Sequence, residues 1–314
     1  MRAMVLDGYG FHPRLAELPP PSPSAGEALV RVRATSVNPI DWKQAGGVYR
    51  PILRARFPGF VPGYDVAGEV LGLGEGVQTF SVGDRVHIRL SGSNGGANAE
   101  QVCVPAAELS KLPASVDFAQ GAGMPLAGLT ALQGLRDGCG LRAPLDGARV
   151  LVVGASGGVG HLAVQVACAW GAHVTGVCSA RNADFVRSLG AHAVVDYAAP
   201  DAWKGVVPFH AILDCVGEPV PPQLARLVPG GRFASCLPGP GVFLQSALNP
   251  LRSRKVAAVM MQPNAADLSK LDELAETGKL RVHVDSRFPL EQLGEAWARS
   301  RTGRAVGKIV VELP

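Results

Sequence analysis

The sequence predicts an α/β protein of two units, one β-rich and barrel-like, the other built on a doubly wound parallel sheet. Three observations carry that reading. Over the first ~115 residues, short apolar runs alternate with glycine and proline turns, the pattern of strands joined by tight connections. From Val150 onward, strand-like runs alternate with stretches of helical spacing, which calls for parallel strands joined by right-handed crossovers. At the change of pattern, Val150–Ala167 reads as a buried strand, a glycine turn and a helix in immediate succession.

The elements follow in order. Ala3–Leu6 opens as a strand. In Ala28–Ala34, Leu29, Arg31 and Arg33 alternate with Val30 and Val32, the period of a strand with two unlike faces. Val66–Leu71, Arg85–Leu90 and Ala99–Val104 continue the pattern. The second unit is expected to run as strand Arg149–Val153, helix Gly158–Trp170, strand His173–Val177, helix Asn182–Leu189, and strands Ala193–Val195 and Ala211–Asp214. A short helix near Gln223–Leu227 and strand Arg232–Ser235 come next, and strand Lys255–Met261 closes this sheet. Helices near Ala265–Thr277 and Leu290–Ser300 and strand Gly307–Glu312 are expected to return to the N-terminal unit. The expected division is residues 1–120 with 252–314 for the first unit and 121–251 for the second.

Bulk composition narrows the function classes. A chain of 314 residues suits two domains, and 47% hydrophobic against 18% charged residues gives ample core material. The net charge of +4 is small, and no basic run is interleaved with aromatics, which argues against a nucleic-acid partner. Cysteines at 103, 139, 168, 178, 215 and 236 show no CxxC spacing, so a reduced protein with free thiols is expected over a disulfide framework. No apolar run is long enough to span a bilayer and no signal-peptide pattern is evident, which makes a cytoplasmic enzyme without a membrane partner the expectation.

The glycine turn names the ligand class. Ala155-Ser-Gly-Gly-Val-Gly160 has the pattern AxGxxG between a strand and a helix, with alanine in place of the usual first glycine. Gly157 would let the backbone approach a pyrophosphate and Gly160 would let the helix pack on the strand; the competing reading is a plain tight turn. Cofactor-binding candidates here are Gly154, Ser156, Gly157, Gly158, Val159 and Gly160. An acid about twenty residues beyond the glycines would favour NAD, yet the next strand runs into Val177-Cys-Ser-Ala-Arg-Asn182 with none. Ser179 and Arg181 can instead donate to a 2′-phosphate, so NADPH is the expected coenzyme; the alternative is a solvated arginine at a helix start. The histidines at 12, 87, 161, 173, 192, 210 and 283 are isolated in sequence, so no metal site is expected.

Taken together, Val37-Asn-Pro-Ile-Asp-Trp-Lys43, Pro62-Gly-Tyr-Asp-Val-Ala-Gly-Glu-Val70, Val82-Gly-Asp-Arg-Val86, Gly96–Val104, Ala127-Gly-Leu-Thr-Ala131, Gly154–Gly160, Ser188-Leu-Gly-Ala191, Val195-Asp-Tyr197 and Gly307-Lys-Ile-Val-Val311 carry a resemblance. The chain resembles the zinc-free quinone oxidoreductase branch of the medium-chain dehydrogenase/reductase superfamily. That resemblance implies a GroES-like β-barrel domain and a Rossmann domain. It also implies a zinc-independent, NADPH-dependent reductase passing hydride to a quinone or to the β-carbon of an α,β-unsaturated carbonyl. By the same resemblance, zinc-dependent relatives place ligands where this chain has Asn38, Tyr64 and Leu126, and their four-cysteine lobe falls where it has only Cys103.

The resemblance implies that Asn38 contacts the nicotinamide or substrate carbonyl and that Thr130 holds the carboxamide end. Tyr197 would lie at the adenosine end, Ser179 and Arg181 on the 2′-phosphate, and Val216-Gly217 along the cofactor crevice. A homodimer joined through the Rossmann domains is common among such relatives. Two alternative functions stand beside the reductase: a dinucleotide-binding protein with little turnover, crystallin-like or regulatory, and an enoyl thioester reductase. The last finds its support in Tyr49, which follows Asn38-Pro-Ile-Asp41 at the spacing of a catalytic tyrosine in enoyl thioester reductases, with Tyr64 as a second candidate proton donor.

Overall fold

In the computed structural model, which describes residues 1–51, 53–92 and 95–314, the alternation around Val30 becomes the two faces of one strand, Glu27–Val37. Val30, Val32 and Ala34 are buried, while Arg31 is exposed and Leu29 and Arg33 are half-buried. The chain divides into two units. The first comprises Met1–Leu126, Pro263–Glu276 and Val282–Pro314; the second comprises Ala127–Gln262 and Thr277–Arg281.

In the first unit Glu27–Val37 is the organising strand. It pairs antiparallel with Asp65–Leu73, with Gln101–Pro105 and with Lys308–Glu312. The sheet continues through Arg85–Arg89 and Ser110–Lys111 on one side and Val284–Pro289 on the other, and Arg2–Val5 with Arg14–Glu17 forms a separate ribbon. Its core gathers Met4, Leu6, Val30, Val32, Val66, Ile88, Trp297 and Val311. Burial of each such side chain contributes about 1.5–3 kcal/mol relative to exposure. The short helix Pro39–Ala45 starts on Asn38, whose backbone N–H donates to the Asp41 carboxylate at 2.7 Å, as in a capping box.

The second unit has a wholly parallel sheet in the order Ala193–Asp196, His173–Cys178, Arg149–Val153, Phe209–Asp214, Leu227–Ser235, Lys255–Ala258. The order reverses between Arg149–Val153 and Phe209–Asp214, where such sheets open a crevice beyond their carboxyl ends. The central strands are largely buried on both faces, so they carry the apolar runs Val150–Val153 and Ala211–Leu213. Helix Gly160–Ala169 lays Leu162, Ala163, Val166 and Ala167 on this sheet, all of them fully buried.

The observed division differs from the expected one at both boundaries. Lys255–Ala258 pairs with Leu227–Ser235, so residues beyond 251 still belong to the parallel sheet, and the unit ends at Gln262. Thr277–Arg281 also returns to it, because Gln165 bonds the Arg281 backbone through both ends of its amide, at 2.8 and 3.0 Å.

Candidate functional site

The two glycines of the turn sit in different surroundings. At Gly160 an added Cβ would overlap the Gly154 carbonyl oxygen, so the helix is seated directly against the strand's exit and only glycine fits. Around Gly157 the nearest atom to an added Cβ is that same oxygen at 3.4 Å. The chain's own packing therefore does not demand glycine at 157, and the cleared space suits a ligand. The backbone N–H groups of Ser156, Gly158 and Val159 make no hydrogen bond among the described residues, and all three residues are half-buried. Unsatisfied donors at a helix N-terminus are an anion cradle.

Strand His173–Cys178 ends at Ser179, and a short 3-10 turn carries Ala180–Asn182. Arg181 is exposed and has no hydrogen-bond or ion-pair partner among the described residues. The Asn182 side chain donates to Ser156 Oγ at 3.0 Å, tying the Arg181 loop to the glycine turn. Asn182 was not among the expected site residues; its signal was only its position beside Arg181. Tyr197 follows strand Ala193–Asp196 with its ring exposed. The donors at these two turns fit the phosphates of a dinucleotide.

Val216 and Gly217 are positioned by a residue the sequence reading passed over. Asp214 is fully buried, and its carboxylate accepts the backbone N–H groups of Val216, Gly217 and Glu218 at 3.0 Å each and the Ser235 hydroxyl at 2.8 Å. This network fixes the turn in which Gly217 takes φ +87°. It sets Val216, half-exposed, against Gly154. A strand-ending Asp followed by a glycine three residues on was the legible sign. Thr130 lies buried on helix Pro125–Gln133, in the same unit.

The first unit contains a buried polar cluster centred on Asn38. The Asn38 Oδ1 accepts Lys308 Nζ at 2.6 Å and its Nδ2 donates to Asp65 Oδ2 at 2.8 Å. Asp65 also accepts the Ser36 hydroxyl at 2.7 Å and the Leu126 N–H at 2.9 Å. Lys308 Nζ lies 3.9 Å from Asp65 Oδ2. Burial pushes the Lys308 ammonium below its ordinary range, an effect that the nearby Asp65 and Asp41 carboxylates oppose. Both ends of the Asn38 amide are thus engaged, and only 2% of the residue is exposed. This geometry makes Asn38 a structural hub and gives no support to its implied contact with nicotinamide or substrate. Lys308 and Asp65 were missed because charged residues in strands read as solvent-facing.

Tyr64 is also sealed. Its hydroxyl donates to Gln44 Oε1 at 2.6 Å, and the Arg89 guanidinium stacks over its ring at 4.7 Å. Burial pushes its pKa up to about 12, which is unhelpful in a proton donor. Tyr49 differs: it is half-buried in a turn, and its hydroxyl has no partner among the described residues. Asp41, fully buried, has its pKa pushed up to about 7 by burial, against the pull of the Asn38 N–H bond. A carboxyl raised in the folded state costs stability as pH climbs from its unfolded value near 4 to about 7, and the cost is constant above that. The Asp41→Asn variant is therefore expected to gain in melting temperature relative to wild type as pH rises from about 4 to about 7. An unchanged difference across that window would remove Asp41 as the titrating group.

The histidines are less isolated than the sequence implied. His173 and His192 stack at 4.4 Å. His87 is fully buried; its Nδ1 lies 3.1 Å from the Gly121 carbonyl and its Nε2 3.1 Å from Asp272 Oδ2, which also accepts the Ser110 hydroxyl at 2.7 Å. The carboxylate stands between serine and histidine, so the histidine has no serine to activate. The cluster clips helix Ala265–Glu276 to the sheet. Among the described residues, no three His, Cys, Asp or Glu side chains are grouped to hold a metal ion, and no helix is long and apolar enough to cross a membrane.

Two families match the chain. The alcohol dehydrogenase GroES-like domain family matches residues 24–114, and the zinc-binding dehydrogenase family matches residues 189–311. Over 99% of its length the chain is 39% identical to the chloroplastic quinone-oxidoreductase QR1 of Triphysaria versicolor, covering 98% of that protein. It is 40% identical to the chloroplast envelope quinone oxidoreductase homolog of Arabidopsis thaliana, with 99% and 98% covered. The solved quinone oxidoreductase of Coxiella burnetii superposes with a TM-score of 0.89 at 30% identity, covering 100% of this chain and 99% of that one.

Proposed function

The chain belongs to the medium-chain dehydrogenase/reductase superfamily, among relatives named quinone oxidoreductases, and from that membership we propose a zinc-independent, NADPH-dependent reductase of quinones and α,β-unsaturated carbonyls. The observation that carries the coenzyme half is the Gly154–Gly160 turn, with open space at Gly157 and unsatisfied amides at the switch point of the sheet. Those amides hold the diphosphate. Ser179 and Arg181 receive the 2′-phosphate, and the absence of an acid at that strand end removes the repulsion that would exclude it. Tyr197 flanks the adenosine, Val216 and Gly217 line the crevice, and Thr130 orients the carboxamide. Bound NADPH would supply the hydride.

Zinc independence is supported by the residues themselves. Asn38 and Tyr64 stand where zinc-dependent relatives are expected to place ligands, and their side chains are committed to Lys308, Asp65 and Gln44. A conjugated acceptor needs no Lewis acid of the kind an alcohol does, because its carbonyl takes the electron density. A quinone can draw its protons from water. An enal needs one delivered at carbon, and Tyr49, half-buried with a hydroxyl that has no partner among the described residues, is the candidate donor.

The test is stopped-flow NADPH oxidation against a panel of quinones and enals, with and without chelator. Turnover unaffected by chelator is expected, and Tyr49→Phe should slow enals more than quinones. Coenzyme binding without turnover on any acceptor would instead favour a binding protein, and loss of activity with one zinc per chain would remove the metal-free reading.

A further inference from the structure

Two thiols stand where the coenzyme reading places its crevice. Cys215 and Cys236 follow the ends of adjacent parallel strands, Phe209–Asp214 and Leu227–Ser235. Asp214 pairs with Ser235, and the Cys236 N–H donates to the Asp214 carbonyl at 2.8 Å. The ladder thus runs one step further and sets the two cysteines side by side. Neighbouring strands lie about 4.8 Å apart, within the Cα separation of roughly 4.4–6.8 Å that a disulfide spans. The neighbouring Cys236 thiol raises the Cys215 pKa. Both cysteines are free and half-buried, whereas Cys139, the nearby third thiol, is buried, with its Sγ turned to the Ile212 carbonyl at 3.5 Å. The pair also borders the glycine turn. The Cys215 N–H donates to the Val153 carbonyl at 3.1 Å, and an added Cβ on Gly154 would meet the Cys215 Cβ at 3.7 Å.

We propose that Cys215 and Cys236 form an oxidisable dithiol that a small-molecule disulfide closes to a cross-strand bridge, and that closing it weakens coenzyme binding. The second half rests on the coenzyme reading given above. The neighbouring Cys236 thiol and burial hold the Cys215 proton on well above the ordinary thiol range. Exchange therefore begins at Cys236. Its thiolate attacks one sulfur of the oxidant, and the other sulfur leaves as a thiolate. The Cys215 thiol then gives up its proton and attacks the Cys236 sulfur, expelling the second thiolate. Two protein thiols are oxidised by two electrons, and one disulfide is reduced to two thiols that take up the two protons. Bridging fixes the two sulfurs at about 2.05 Å. Cys215 is continuous with Val216, which lies against Gly154, so the constraint reaches the diphosphate turn.

The probe is oxidised glutathione, applied to the reduced full-length protein and then removed. Peptide mass spectrometry after thiol blocking is expected to find Cys215 linked to Cys236. Fluorescence titration is expected to show NADPH affinity at least roughly tenfold weaker, a loss of about 1.4 kcal/mol or more. Dithiothreitol should restore it, and Cys236→Ser should keep full affinity through the same treatment. Absence of that linked peptide overturns the dithiol. Equal affinity in linked and reduced protein overturns its coupling to the coenzyme. If reduced protein binds neither NADPH nor NADH, the coenzyme reading falls and takes the coupling with it, while the linked peptide still decides the dithiol.

Discussion

Replacing Asp65 by alanine is expected to destabilise the first unit by about 3–5 kcal/mol, the cost of stranding one member of a buried charged pair. Asp65 is fully buried and gathers Ser36, Asn38 and the Leu126 N–H, with Lys308 3.9 Å away. Without it, Lys308 keeps the Asn38 oxygen as a hydrogen-bond acceptor, and the bonds from Ser36, Asn38 and the Leu126 N–H to this carboxylate are lost. For a unit of this size the melting temperature should fall by roughly 6–20 °C. The control is the double variant Asp65→Leu with Lys308→Met, which removes both charges. It should be markedly more stable than the sum of the single losses, because neither ion is left uncompensated. Additive losses would show that the two residues do not act as a pair.

Arg181→Ala is expected to weaken NADPH binding roughly tenfold to a hundredfold while leaving NADH nearly unchanged. Losing a charge-assisted hydrogen bond costs about 1.5–3 kcal/mol, and each 1.4 kcal/mol is about tenfold. The structure sharpens this expectation, since Arg181 is exposed and has no partner among the described residues. Its truncation breaks no internal hydrogen bond or ion pair among the described residues, so a selective loss of NADPH affinity would come through the ligand. Equal weakening for both coenzymes would mean that the loop, held by Asn182 on Ser156, had shifted instead.

The parallel sheet was legible because strands largely buried on both faces carry apolar runs such as Val150–Val153, and the helix Gly160–Ala169 repeats its apolar residues at helical spacing. Strand Leu227–Ser235 was read only from Arg232, because Pro229-Gly230-Gly231 resembles a turn; in the structure these residues lie where the pairing register shifts between Phe209 and Ala211. Helix Pro240–Ala247 was missed for a related reason: Pro238-Gly239-Pro240-Gly241 reads as a loop, yet Pro240 is at the first helical turn, where proline is at home. At the site, the glycine turn and the Arg181 loop are local in sequence and could be read. The Asn38–Asp65–Lys308 cluster could not, because its members meet only through strand pairing, and a polar residue in a strand carries no mark of which neighbour will satisfy it.

That cluster ties biosynthesis to the far end of the chain. Asn38 and Lys308 are 270 residues apart, and strand Lys308–Glu312 sits between Glu27–Val37 and Val284–Pro289. Its place in the sheet cannot be filled until the ribosome has delivered those residues, so the early strands wait with an open edge and an unneutralised Asp65. The parallel-sheet unit faces no such delay, since its strands all precede residue 259. Vectorial synthesis therefore lets the dinucleotide unit close before the barrel, whose strands flank it in the chain, can be completed.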